Sequence, residues 1–151
     1  MEKFIVFTSG AQNFAIPITD VEKIIMMEDP TRIPDTSSYL LGAIPYSDRL
    51  LPIVDLSERL FKQLTPLTPK TKVIVAEWKE LKIGLVVDDV LAVNNFEEIP
   101  ADEAEAAEEM RGAAKYVRAL FKTEAGIILV LDVDALFSTE NEKELIELIN
   151  K

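Results

Sequence analysis

Neither cysteine nor histidine occurs among the 151 residues. Their absence excludes a disulfide framework, a thiolate nucleophile, a Cys/His zinc site and a Ser-His-Asp triad. It also removes the side chain most used as a general base, so only carboxylates, lysines and hydroxyls are left for catalysis. Glycine is scarce too: Gly10, Gly42, Gly84, Gly112 and Gly126 are isolated from one another. They form no G-x-G-x-x-G or G-x-x-x-x-G-K-[ST] run, so the loops that cradle nucleotide phosphates are missing. Positive charge is in deficit, with 16 Lys and Arg against 27 Asp and Glu and a net charge of −11. Such a field repels a phosphate backbone or an anionic lipid surface. No basic cluster interleaved with aromatics offsets it. No apolar run approaches the roughly 20 residues of a membrane-spanning helix. The opening Phe4-Ile5-Val6-Phe7 is too short for a signal peptide and is followed by no small-residue cleavage site. These absences lead to the expectation of a cytoplasmic, non-enzymatic protein with no cofactor, metal, nucleic-acid partner or membrane insertion.

What is present is a chain with enough apolar residues for a core, 48%, and 28% charged residues spread along it. Short apolar runs separated by turn residues read as β-hairpins. The first joins Phe4–Phe7 to Phe14–Ile18 through residues 9–13. The second joins Leu40–Ile44 to Leu50–Val54 through Pro45-Tyr46-Ser47-Asp48. A third pairs Lys72–Trp78 with Leu81–Val87, and a fourth pairs Tyr116–Phe121 with Gly126–Leu131. Thr19–Ile25 reads as a short helical or bent segment, and Pro30 and Pro34 keep residues 29–35 extended or looped. Ser57–Leu64 reads as a short amphipathic helix, and Thr65-Pro66-Leu67-Thr68-Pro69 as a linker. Thr139 and Glu142 write a capping box before a C-terminal amphipathic helix over 139–150.

Two sets of landmarks recur. Ile16-Pro17-Ile18-Thr19-Asp20-Val21 resembles Leu85-Val86-Val87-Asp88-Asp89-Val90, displaced by 69 residues. Leu51-Pro52-Ile53-Val54-Asp55-Leu56 resembles Ile128-Leu129-Val130-Leu131-Asp132-Val133, displaced by 77. The acidic, Ala-rich stretch 102–109 accounts for the difference. The pattern predicts a mainly β protein built as two small five-stranded barrel subdomains, about 15–65 and 70–137. Strands would be exchanged near the termini, and a shared face buried because neither half is large enough alone.

Among candidate sites, the 102–109 carboxylates read as a solvated face rather than a metal site. Asp88-Asp89 and Asp132/Asp134 sit at strand ends, where carboxylates cap the next turn. If the segment holding Ile24-Ile25-Met26-Met27 is extended, two of those four side chains face outward and suit a protein interface. Tyr39 and Tyr46 flank the second hairpin as further interface candidates.

Taken in order, Phe4–Thr8, Asn13–Ile18, Val21–Ile24, Thr31–Pro34, Gly42, Leu51–Leu56, Val73–Val75, Gly84–Val90 and Ile128–Asp134 resemble the CheW coupling proteins of bacterial chemotaxis. The resemblance runs from Lys3 to about Phe137. It implies a single domain over 1–151 made of two SH3-like barrels around a common core, and it implies no catalysis. It also implies two partners: the regulatory domain of a CheA-type histidine kinase, and the cytoplasmic tip of a methyl-accepting chemoreceptor. By position, the receptor groove would include Val21, Glu22, Ile24, Gly42, Ser47, Val73 and Ile74. The family pattern G-[VI]-x-N-L-R-G places its arginine and second glycine where this chain has Ser47 and Asp48. Arg49 would then substitute for the arginine if the register has slipped. The alternative reading is a divergent module of the same fold, in a non-standard chemosensory or motility pathway, that has lost standard receptor binding.

Overall fold

The computed structural model describes residues 2–34, 36–96, 99–100, 114–123, 126–137 and 143–146. Strands β1 (Glu2–Ser9), β2 (Gln12–Pro17) and β3 (Val21–Met26) precede β4 (Leu40–Tyr46) and β5 (Arg49–Asp55). Helix α1 (Leu56–Phe61) leads to β6 (Lys72–Trp78), β7 (Leu81–Val87) and β8 (Asp89–Phe96). The two-residue β9 (Ile99–Pro100), β10 (Val117–Thr123), β11 (Gly126–Leu131) and helix α2 (Val133–Leu136) complete the named elements. The protein is mainly β, as the sequence predicts.

The strands form two sheets. The larger has the order β8-β1-β2-β11-β10-β9, and the smaller β3-β6-β7-β5-β4. The 69-residue displacement carries β1, β2 and β3 onto β6, β7 and β8, and the 77-residue one carries β4, β5 and α1 onto β10, β11 and α2. Apart from β9, the two sheet orders are therefore the same list with the copies mixed. Each sheet takes its first hairpin from one copy and its last from the other. The equivalence extends to register: parallel pairing sets Ile53 against Gly84 and, in the other sheet, Val130 against Ala15. The subdomain spans of about 15–65 and 70–137 do not coincide with the sheets, because β6 and β7 join β3–β5 while β1 and β2 join β8–β11.

Near-continuous apolar strands are explained by burial on both faces. In β1, Phe4 and Val6 enter a core inside the larger sheet with Ala15, Phe121 and Val130. Ile5 and Phe7 point the other way, into a shared core with Phe14, Ile16, Ile74, Leu85 and Leu129. A third cluster draws Ile25, Ile44, Ile53, Val73 and Val86 from all five strands of the smaller sheet. Each sheet thus has an apolar cluster of its own and contributes to the cluster shared with its neighbour.

Three hairpins turn through two residues that both have positive φ: Gly10-Ala11, Ser47-Asp48 and Lys79-Glu80. That is the requirement of a type I′ loop, which matches the twist of the paired strands. The predicted helical or bent segment at 19–25 is one 3-10 turn over Ile18–Asp20 followed by β3. β-Branched Val21, Ile24 and Ile25 favour the strand. The helix predicted at 57–64 is shorter, because Lys62 turns into the left-handed region at φ 63° and stops it. Strand β8 was not foreseen beyond Val90; Asn94 and Asn95 conceal it by breaking the apolar pattern. Of the predicted C-terminal helix over 139–150, residues 143–146 are described; they are helical, and Leu145 is buried in the shared core. The capping pair Thr139 and Glu142 and the acidic 102–109 stretch lie outside the described residues.

Candidate binding surfaces

The strand-end carboxylates act as caps. Asp55 accepts from the Glu58 amide at 3.2 Å and Asp132 from the Ala135 amide at 3.4 Å. Asp55 is buried and also accepts from the Thr65 amide at 2.9 Å and hydroxyl at 2.6 Å. Asp88 accepts from the Ala11 amide at 3.4 Å, tying a hairpin turn to the β7–β8 junction. Among the described residues, no group of three or more carboxylates is arranged to hold a metal ion.

The residues predicted for a groove separate into three environments. Val73 and Ile74 are wholly buried, one inside the smaller sheet and the other in the shared core. Adjacent residues in a strand covered on both faces present neither side chain to solvent. Gly42 is buried with φ 140°, and a Cβ there would fall 2.2 Å from the Thr31 carbonyl oxygen. Its part is to let the Thr31 segment pair with Ala43, through bonds of 2.9 and 3.0 Å. Val21 is half-buried against the shared core, while Glu22, Ile24, Ser47 and Arg49 are exposed.

Glu22 organises the open end of the smaller sheet. Its carboxylate accepts from Lys82 Nζ at 2.6 Å and from the Tyr46 hydroxyl, and Lys23 Nζ lies 5.3 Å from the Tyr46 ring centre. These contacts join β3 and β4, which are the two edges of the five-stranded sheet. The bonds from Lys82 and Tyr46 hold the Glu22 carboxyl below its ordinary value. Lost hydration and the adjacent carboxylate push the Tyr46 phenol up to about 12. Beside this cluster, Ser47, Arg49, Leu50, Leu81 and Lys82 line a shallow pocket of about 190 Å³ between two hairpin turns. Tyr39, the other aromatic interface candidate, is buried in the shared core instead.

Exposed apolar side chains lie on both edge strands β3 and β8. Along β3 and the residue after it, Ile24 and Met26 face outward while Ile25 and Met27 pack inward, the alternation expected of an extended segment. Met26 is 58% exposed. In β8, Leu91 and Val93 are each 52% exposed. The sequence reading did not single these two out, although the 69-residue displacement maps Glu22 onto Leu91 and Ile24 onto Val93. The duplication was therefore the available signal. Both stripes begin at equivalent valines, Val21 and Val90, which pack against the shared core.

Comparison with known proteins gives a consistent result. Over 147 residues, the chain is 26% identical to the chemotaxis protein CheW of Bacillus subtilis, covering 96% of this chain and 92% of the relative. It is 31% identical over 144 residues to the chemotaxis protein CheW of Rhizobium meliloti, covering 93% and 90%. Its fold is similar to the crystal structure of the scaffolding protein TtCheW from Thermoanaerobacter tengcongensis, with a TM-score of 0.80. That match has 23% identity and covers 93% of this chain and 90% of the other. Residues 3–141 match the family described as the CheW-like domain. With two sheets that each draw strands from both halves of the chain, the ordered strand landmarks and a family match across nearly its whole length, the chain belongs to the CheW-like family.

Proposed function

We propose that this chain is a chemotaxis adaptor that works by binding rather than catalysis, coupling the cytoplasmic tip of a chemoreceptor to the regulatory domain of a CheA-type histidine kinase. The observation that carries the reading is the pair of exposed apolar stripes, Ile24/Met26 on β3 and Leu91/Val93 on β8, on equivalent edge strands of the two copies with Ile24 and Val93 at the same position. Flanking apolar strands beside a shared core suit an amphipathic helix, which lays one face into a groove. The relatives named as chemotaxis and scaffolding proteins support the partner classes. A cytoplasmic location follows from those partners. Among the described residues, no helix is long and apolar enough to cross a membrane.

The test is a pull-down and titration of the purified chain against a CheA regulatory domain and, separately, a receptor signalling tip. Both are expected to bind. Ile24→Asp and Val93→Asp should weaken the receptor tip by at least about tenfold and leave the kinase domain unchanged. Absence of binding to either partner at tens of micromolar overturns the reading.

A further inference from the structure

Residues 62–71, of which 65–69 read as a linker in the sequence, form a built loop. Its interior side is fixed by Thr65, which donates through its amide and hydroxyl to buried Asp55. Thr71 is also buried; its hydroxyl accepts from the Thr68 amide at 2.9 Å and donates to the Pro66 carbonyl at 3.2 Å. Pro66 and Pro69 restrict the backbone further. While the threonines turn inward, the leucines turn out: Leu64 is 62% exposed and Leu67 is 70% exposed. They are not scattered surface residues. Together with Met27 and Leu41 they line one cavity of about 420 Å³, whose lining also includes Glu28, Asp29 and Arg32. Arg32, Leu41 and Leu64 also line a neighbouring cavity that reaches Ser37, so the two adjoin as one furrow.

We propose that this furrow docks a basic, amphipathic segment of a partner protein. Aliphatic side chains of the segment fill the space between Leu64, Leu67, Met27 and Leu41, and its cations meet Glu28 and Asp29. Three observations support that occupant. A loop held rigid by buried polar groups presents its leucines at little ordering cost on binding. Its volume falls within the range of ligand pockets. Finally, Glu28 and Asp29 outnumber Arg32 around the opening, and with the net charge of −11 this balance favours a cationic partner and opposes a second copy of this chain. The furrow is separate from the edge-strand stripes, since neither Ile24 nor Met26 on β3 nor Leu91 nor Val93 on β8 lines it.

The test uses the full-length, isotope-labelled chain and a model peptide of about 18 residues, five helical turns, with a leucine stripe and a lysine face. A peptide with glutamates in place of the lysines is the control. Amide shifts on adding the lysine peptide are expected to concentrate at 27–32 and 62–71, with saturable binding. Leu64→Ser with Leu67→Ser should weaken binding by at least about tenfold. Glu28→Lys with Asp29→Lys should reverse the preference toward the glutamate peptide. Both leucines are solvent-exposed, so the variant should melt as the parent does, and a matching melt confirms that the loss is local. Shifts spread over the acidic surface or confined to β3 and β8 overturn the proposal, as does undiminished binding by the leucine variant. Concentration-dependent dimerisation that the leucine variant abolishes would assign the furrow to a second copy and overturn the stated occupant.

Discussion

Tyr39 and Tyr116 occupy the same position in the two copies of the fold, 77 residues apart, and bond equivalent partners. The Tyr39 carbonyl accepts from the Asp55 amide at 2.7 Å, and the Tyr116 carbonyl accepts from the Asp132 amide at 2.8 Å. Arg59 lies against both rings, its guanidinium carbon 5.0 Å from one ring centre and 5.3 Å from the other. It also donates from Nε to the Leu136 carbonyl at 2.6 Å. One side chain from the first copy's helix thus fastens the corresponding elements of both copies.

Replacement of Arg59 by methionine keeps much of the stem but removes the cation and the donor. Stability should fall by about 1–3 kcal/mol, read as a lower urea midpoint with an unchanged slope. Arg59→Lys should recover only part of the loss, because an ammonium lacks the planar face that stacks on rings. A full recovery by lysine would show that charge alone suffices.

The β4–β5 and β6–β7 turns hold non-glycine residues at positive φ in both central positions. Lys79→Asn with Glu80→Gly substitutes the pair that type I′ loops favour, and should stabilise the protein by about 1 kcal/mol. Asp48→Gly should act in the same direction. The opposite holds for Gly42→Ala, whose new Cβ meets backbone and whose φ is unfavourable; a loss of about 3 kcal/mol or more is expected in thermal or urea unfolding. Ser47→Arg with Asp48→Gly should also tighten binding of a standard receptor tip. If the parent already binds as tightly as that variant, Ser47 and Asp48 do not mark a diverged site. Arg49→Ala alone abolishing binding would favour a slipped register.

The Tyr46–Glu22 contact gives the protein two pH limits. The folded phenol is raised above its ordinary value of 10.0 to about 12, so its contribution is intact below pH 10 and is lost as pH rises toward 12. The Glu22 carboxyl is lowered from 4.5, so its contribution is intact above that value and fades as pH falls below it. Melting profiles should therefore show that Tyr46→Phe flattens the alkaline decline and Glu22→Gln the acidic one. Profiles parallel to the parent's would show that the contact is not kept in solution.

Fragments divided near Pro66 should be unfolded or aggregate when made alone. The cut separates β1 and β2 from their partners β8 and β11, and β3 and β5 from β6 and β7. Mixed fragments should recover dispersed amide signals more fully than either alone. A sharp independent melt of one fragment would count against the exchanged architecture.

Local chemistry in the sequence was enough to place the hairpins, the capping aspartates and the duplication. Turn residues, apolar runs and Asp-Val repeats act over a few positions, and the strand-ordered resemblance extended them to a fold and a family. The alternation at Ile24–Met27 was readable for the same reason, since an extended chain turns successive side chains to opposite faces. Partner choice between copies was not readable. Nothing within residues 72–78 states that β6 will pair with β3 rather than β8, because that depends on which apolar faces meet across long sequence separations. Consequently Val73 and Ile74, plausible as a groove by position, are buried on both sides of a covered strand. Burial of Thr65 against Asp55 likewise turns an apparent linker into a loop that displays two leucines. The sequence determined which short segments are strands and where they turn; tertiary packing alone decided which faces of those strands remain in contact with water.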